Sequence, residues 1–385
     1  MKKLLGTTAL VAAAFATAPA MAADKIKMKV GGYFVGSVAA VFDADILPAG
    51  TVGQDERTIR FGREAEIHFK GSTTLDNGIE IGVKAELELT EDVTSGNQND
   101  DVIDESYIWV EGAFGEFQFG DQDGIGDQMA FAAPSPFLET FVNDTDLDPL
   151  GRQNGTTSGT RGGGVAAVVK ATLDDSSDST KIIYFTPRLA GFQVGLSYAP
   201  EAEEITGDKG FTDSISGDDD GENIFEAGLT FEHSFNSVDI ALGATYLTWD
   251  NNSTYTNGNT LAVQNTDDYD AFSFGGSVGF AGFTVGGQWA QRDAVRADRD
   301  EITDWNLGAT YGTGPWTFGL EYGERNSDDA LVGAATSEID NNGWAAGVAY
   351  SLGGGANVTL GYLTRENDVA NTEGSALFTE FGVKF

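Results

Sequence analysis

The chain has 385 residues, 41% of them hydrophobic, with 60 acidic against 22 basic side chains and a formal net charge of −38. That length exceeds a typical single core, and the acidity excludes nucleic acid as a partner, because its phosphates would be repelled. There is no cysteine, which excludes disulfides and thiolate metal sites.

Residues 1–22, MKKLLGTTALVAAAFATAPAMA, join two lysines, an apolar stretch and a small-x-small ending at Ala20-Met21-Ala22. This pattern predicts a secretory signal peptide cut before Ala23. A membrane anchor fits less well, since Gly6, Thr7, Thr8 and Pro19 interrupt a short run. No later segment offers the ~18 apolar residues that a membrane helix needs.

From Ala23 to Phe385 the pattern is alternation. In FEAGLTFEHSF, Phe225, Leu229, Phe231 and Phe235 share a face opposed by Glu226, Gly228, Thr230 and Glu232. WTFGLEYG sets Trp316, Phe318, Leu320 and Tyr322 against Thr317, Gly319, Glu321 and Gly323. Successive strand side chains point to opposite faces, so each stretch is a strand with one greasy and one polar side. Sixteen such segments begin near Ile26, Thr58, Ile79, Asp104, Glu116, Lys181, Phe192, Asn223, Val238, Tyr269, Phe283, Asp304, Trp316, Gly343, Asn357 and Ser375. Their connections alternate between tight turns, such as LDNG, FNS and GTGP, and long polar stretches. Short turns on one rim and long loops on the other predict an all-β transmembrane antiparallel barrel. A soluble β-sandwich would rarely run to sixteen strands with such asymmetric connections, and no fixed period supports a solenoid. An even count returns both ends to the short-turn rim, where the first strand can pair with the last and remove both edges. The terminal LFTEFGVKF is then a strand whose greasy face meets lipid, with Phe385 at the membrane interface.

The fifth and sixth segments are separated by roughly Gln122 to Thr180, far longer than a hairpin loop. Met129, Phe131, Phe137, Leu138 and Phe141 would not be stable in solvent, so this stretch is expected to pack against the inner wall. Its acids are Asp123, Asp127, Glu139, Asp144, Asp146 and Asp148. Lys29, Arg60 and Lys84 fall at lumen parity and would face them. Arg63 shares parity with greasy residues and fits above the membrane, at a bulge or in a subunit contact. His68 and His233 lie on different strands, with no elbow or phosphate-loop context, so no catalytic residue is assigned.

FKGSTTLDNGIEIGVKAELE, EGAFGEFQFGDQDGI, KIIYFTPRLAGFQVGLSYA, SLGGGANVTLGY and FGVKF, in that order, resemble the general diffusion porins of Gram-negative bacteria, in particular their alphaproteobacterial branch. The resemblance covers residues 23–385 as one barrel. It implies sixteen strands, usually a homotrimer, and a third external loop, here about 122–180, folded into the pore. It also implies that Phe385 completes a signature recognised by the outer-membrane assembly machinery. Many relatives place an arginine where this chain has Asp121, a departure that weakens the carry-over of an arginine-dominated constriction; Asp121 is grouped with the acidic constriction set.

The expected function is passive diffusion of small hydrophilic solutes and ions across the outer membrane, with cations preferred. Outer-membrane lipid and lipopolysaccharide would surround the barrel. No cofactor is required, and Asp144, Asp146 and Asp148 offer oxygen ligands that suit Ca²⁺. A substrate-specific channel, or a barrel enzyme or adhesin, are the alternatives.

Overall fold

A computed structural model describes residues 25–45, 58–89, 103–142, 147, 149–150, 173, 176–202, 222–250, 254–257, 261–264, 268–293, 301–332, 335–367 and 372–385. Residues 1–22, the expected signal peptide, lie outside them. The strands in chain order are β1 (Lys27–Asp45), β2 (Ile59–Thr74), β3 (Glu80–Glu88), β4 (Ile103–Gly112), β5 (Gly115–Asp121) and β6 (Thr180–Phe185). Next come β7 (Phe192–Glu201), β8 (Glu222–Phe235), β9 (Val238–Asp250), β10 (Thr254–Asn257), β11 (Leu261–Gln264) and β12 (Tyr269–Phe280). The last six are β13 (Phe283–Arg292), β14 (Ile302–Thr313), β15 (Trp316–Val332), β16 (Ala335–Gly353), β17 (Ala356–Asn367) and β18 (Thr372–Lys384).

Sixteen of these strands close into one antiparallel barrel, each paired with the next and β18 returning to β1. The seam runs from Tyr33 opposite Lys384 to Asp45 opposite Glu373, and Gly32 and Phe385 exchange two backbone hydrogen bonds of 3.0 Å. No edge is left unpaired, which a sheet in lipid requires. Both chain ends of the barrel therefore sit on the rim of tight turns. There the backbone must reverse within two residues, and Asn236 (φ 56°) and Gly282 (φ 87°) adopt the left-handed conformation that such turns demand.

Most strands begin within two residues of the position that the alternation predicts. The exceptions start earlier: β16 at Ala335 rather than Gly343, and β18 at Thr372 rather than Ser375. These lead-in residues are mostly polar, among them Thr336, Ser337, Glu338, Asp340, Thr372 and Glu373, so alternation is weak there while the strand pairing continues. A further difference is the small ribbon of β10 paired with β11, standing apart from the barrel within a long connection. β10 ends at Asn257, and in the sequence Asn257-Gly258 is a turn signal that a reading by length alone passes over.

The period of two governs burial. On β8, Phe225 and Leu229 are exposed while Glu226 and Thr230, the residue after each, are buried. On β18, Leu377 and Phe381 are exposed and Glu380 is fully covered. The molecule is thus inverted relative to a soluble protein, with an apolar belt outside and polar groups inside. Near the short-turn rim the belt carries paired rings: Phe283 with Tyr311 at 4.3 Å, Trp316 with Tyr350 at 4.4 Å, and Phe192 with Phe231 at 4.6 Å. Arg63 stands on this outer face, exposed and opposite Gly36.

Candidate functional site: the inner wall and the segment after β5

The segment that follows β5 holds one short helix, α1 (Ile125–Gln128), and no further helix or strand through Val142. Backbone without a ladder must still satisfy its N–H groups. Strand side chains of the non-greasy face do so. Glu226 on β8 accepts from the Gly126 N–H at 2.8 Å and from the Ser176 hydroxyl at 2.5 Å. Asn306 Oδ1 on β14 accepts from the Ala133 N–H at 3.0 Å. Glu380 on β18 accepts from the N–H groups of Leu138, Glu139 and Thr140 at 2.9, 3.0 and 2.7 Å, and from the Thr359 hydroxyl at 2.6 Å. Glu321 on β15 accepts from the Val142 N–H at 2.9 Å. Carbonyls are met in turn by Arg365 Nη2, 2.6 Å from Phe141 O, and by Arg60 Nη1, 2.7 Å from Pro149 O.

Apolar contacts reinforce these bonds. Phe137, Val142 and Leu150 are buried with Ala345, Leu363, Ala376 and Phe378 of the strands, and Ile125 and Met129 with Ile183. Each such large side chain contributes roughly 1.5–3 kcal/mol when fully buried. The room comes from strand glycines. A methyl group at Gly243 would lie 2.7 Å from Met129 O, and one at Gly275 would collide with Phe131 O. Residues 125–142 thus follow a track of missing side chains from β7 round to β18.

The wall of β1–β5 carries a different set of contacts. Tyr33 donates its hydroxyl to Glu66 at 2.9 Å. His68 lies between two carboxylates, with Nε2 2.6 Å from Glu66 and Nδ1 3.2 Å from Glu86. Glu66, His68 and Glu86 each bring one ligand atom within 4.8 Å of the others. Lys84 Nζ lies 2.7 Å from Glu86 and 2.5 Å from Glu105. Glu105, Asp123 and Asp178 bring carboxylate oxygens within 4.8 Å of one another. Across the barrel, Asp304 is flanked by Arg292 at 3.0 Å and Arg325 at 2.6 Å.

The residues expected from sequence are dispersed over this geometry. Asp123 joins the carboxylate group, Asp127 falls in α1, and the Glu139 N–H is held by Glu380. Lys84 meets acids, Arg60 meets a carbonyl of the segment, and Lys29 lies opposite Lys70 toward the short-turn rim. Asp121 departs from the expected grouping. It lies opposite Ser106 and Thr180, shares parity with exposed Phe117 and Phe119, and hydrogen-bonds to both hydroxyls, so it closes an outward row instead of facing the inner acids. Asp144, Asp146 and Asp148 lie outside the described residues, as do 151–172. Parity places Glu226, Glu321 and Glu380 on the polar face but gives no sign that they anchor the segment. A buried acid amid the small residues of a strand is the one available signal.

The family model for the Gram-negative porin matches residues 7–370. No curated protein sequence matches the chain. Among solved structures, an anion-selective porin from Comamonas acidovorans superposes with a TM-score of 0.59 at 16% identity, covering 94% of this chain and 100% of that one. OmpT, an outer membrane protein of Vibrio cholerae in its trimer form, gives 0.58 at 14% identity, with 94% and 100% covered. A mutant of the Rh. blastica porin gives 0.54 at 14%, with 93% and 100% covered. The chain belongs to the Gram-negative porin family, and its sixteen-stranded barrel is an outer-membrane channel.

Proposed function

We propose that the barrel is a water-filled conduit for passive diffusion of small hydrophilic solutes and ions, that residues 122–180 narrow it, and that it prefers cations. The observation that carries the preference is the wall of β2–β4 with its facing segment. Glu66, Glu86, Glu105, Asp123 and Asp178 gather there against Lys84 and His68. Carboxylates in a narrow aqueous neck attract cations and repel anions. The Comamonas acidovorans porin of the same fold is anion-selective, so the fold leaves the sign open and the chain's own charges decide it.

The conduit is read as non-enzymatic. Among the described residues, His68 is held by carboxylates and His233 stands on the outward row beside Phe235, neither placed as a general base. Assembly is read as a homotrimer, as in the trimer form of the V. cholerae neighbour. Gly32, Gly36 and Ala40 on the outer face of β1 would permit close approach around Arg63, whose charge would be costly in lipid. The mass of the detergent-solubilised complex tests this. The remaining elements are a leader removed before Ala23, a surrounding of lipid and lipopolysaccharide, an alphaproteobacterial affinity, and Ca²⁺ at Asp144, Asp146 and Asp148.

The test is the zero-current potential across a KCl gradient in a planar bilayer, at low salt, with and without Ca²⁺. Cation preference is expected, fading as the screening length falls to roughly 3 Å near 1 M. Chloride preference would overturn the selectivity. An unchanged potential and conductance on adding Ca²⁺ would remove the calcium element alone. The absence of stable open steps would overturn the channel reading itself.

A further inference from the structure

The chain has a formal net charge of −38, yet ammonium groups gather at one place on the inner wall. Strand register sets Lys29 on β1 directly opposite Lys70 on β2, and Lys70 directly opposite Lys84 on β3. Adjacent strands lie about 4.8 Å apart, so three like charges stand in one lateral row. Like charges directly opposite each other destabilise a sheet. Lys84 is relieved by Glu86 and Glu105 at 2.7 and 2.5 Å. Lys29 and Lys70 have no such relief: among the described residues no carboxylate forms an ion pair with either.

Lys70 is also held in position. Its Nζ lies 4.9 Å from the centre of the Trp109 ring, and Trp109 is 5% exposed. The indole occupies the space that a side chain at Gly82 would need, so its plane is fixed by packing. A cation over an aromatic face keeps its charge and its remaining hydrogen-bond donors. Lys384 repeats the arrangement over Tyr33, at 6.0 Å. The wall thus presents two uncompensated ammonium groups, one of them seated on a rigid ring, facing water that solutes cross.

We propose that Lys29 and Lys70 form an anion subsite near the short-turn mouth, which takes oxyanions of two or more negative charges, of the phosphate class. A singly charged anion neutralises one ammonium, whereas a doubly charged oxyanion accepts hydrogen bonds from both and relieves the repulsion between them. This rests on the channel reading and adds a local opposite sign to a conduit lined largely by acids. Multiply charged anions entering from the short-turn side pass Glu80, Glu111 and Glu116 at the rim of β3–β5, then meet the subsite before the carboxylates of Glu86 and Glu105. From the other side they must pass those carboxylates first.

The experiment is single-channel recording with inorganic phosphate added to one side at a time, at low ionic strength matched with KCl. The chain lacks cysteine, so Asp76→Cys in an exposed turn, treated with an impermeant thiol reagent, reports which side faces the chamber. Phosphate on the short-turn side is expected to lower conductance about twofold, and to act more weakly from the other side, as local fields concentrate counter-ions. The double variant Lys29→Gln with Lys70→Gln should lose this block. Arg188→Gln, which removes one positive charge from an exposed turn, should keep it. Open steps without a phosphate effect, or a block that persists in the double variant, overturn the subsite while leaving the channel reading intact. Equal loss in Arg188→Gln reduces it to a general field effect and also overturns it. If no open steps occur, the channel reading falls, and phosphate binding by the detergent-solubilised barrel, followed by phosphorus NMR line width, still decides the subsite: broadening that the double variant abolishes supports it, and none refutes it.

Discussion

Glu380 concentrates more of the segment's anchoring than any other described side chain, because one carboxylate accepts from three consecutive N–H groups and one hydroxyl. A carboxylate offers about four lone-pair sites, so it is saturated here. Glu380→Gln keeps the shape but turns half of the acceptor into an NH₂ donor that faces other donors. Hydrogen bonds to charged groups contribute about 1.5–3 kcal/mol each, and a buried unsatisfied donor costs a similar amount. The expected outcome is a lower melting temperature with a larger and noisier conductance, as residues 138–140 lose their hold. Unchanged conductance in Glu380→Gln would show that the apolar contacts of Phe137 alone fix the segment.

At the scale of the element, β12 offers a comparison within one strand. Gly275 and Gly279 share its inner face. A methyl group at Gly275 would collide with Phe131 O, whereas one at Gly279 would meet its nearest neighbour at 3.5 Å, an ordinary contact. Gly275→Ala should displace the segment and change conductance, and Gly279→Ala should leave it as it is or stabilise the strand slightly. Equal behaviour of the two variants would refute a track set by missing side chains. The same strand shows what is legible in the sequence and what is not. Alternation marks β12 because Phe272, Phe274, Val278 and Phe280 recur with period two, a local signal that burial in any apolar surround produces. It cannot tell a glycine that merely faces water from one that seats another part of the chain, since that contact is made by residues some 140 positions away. Acids behave alike. A run such as Asp144, Asp146 and Asp148 draws notice by proximity in sequence, while Glu226, Glu321 and Glu380 act together from three separate strands. Asp121 differs: its parity with Phe117 and Phe119 is legible in the sequence, while its partners Ser106 and Thr180 are supplied by strand pairing.

For the whole molecule, the inverted burial means that the outer belt is stabilised by lipid and the inner face by the segment and by water. Phe385 belongs to neither layer alone: it is 65% exposed, at the foot of the seam, with both of its backbone hydrogen bonds made to Gly32. Its ring is a small part of the lipid contact. Deleting Phe385 is therefore expected to leave the melting temperature of correctly inserted barrel nearly unchanged but to reduce severalfold the amount that reaches the outer membrane. Normal levels of the truncated protein in that membrane would refute a role for the terminal ring in assembly.

The seam itself makes folding a problem of timing. Gly32 and Phe385 stand at opposite ends of the barrel's chain, so the contact that removes the last open edge is the most non-local one that the fold contains. Chain entropy charges for such closure before any bond rewards it, and the rate falls as contacts grow more distant in sequence. Until β18 meets β1, two strands expose unpaired N–H and C=O groups, and such edges template pairing with other chains. The strand that comes last in the barrel's order is thus also the one whose arrival converts an aggregation-prone ribbon into a closed surface. A barrel lacking β18 would keep both edges open and so carry a hazard of mispairing that the closed surface does not.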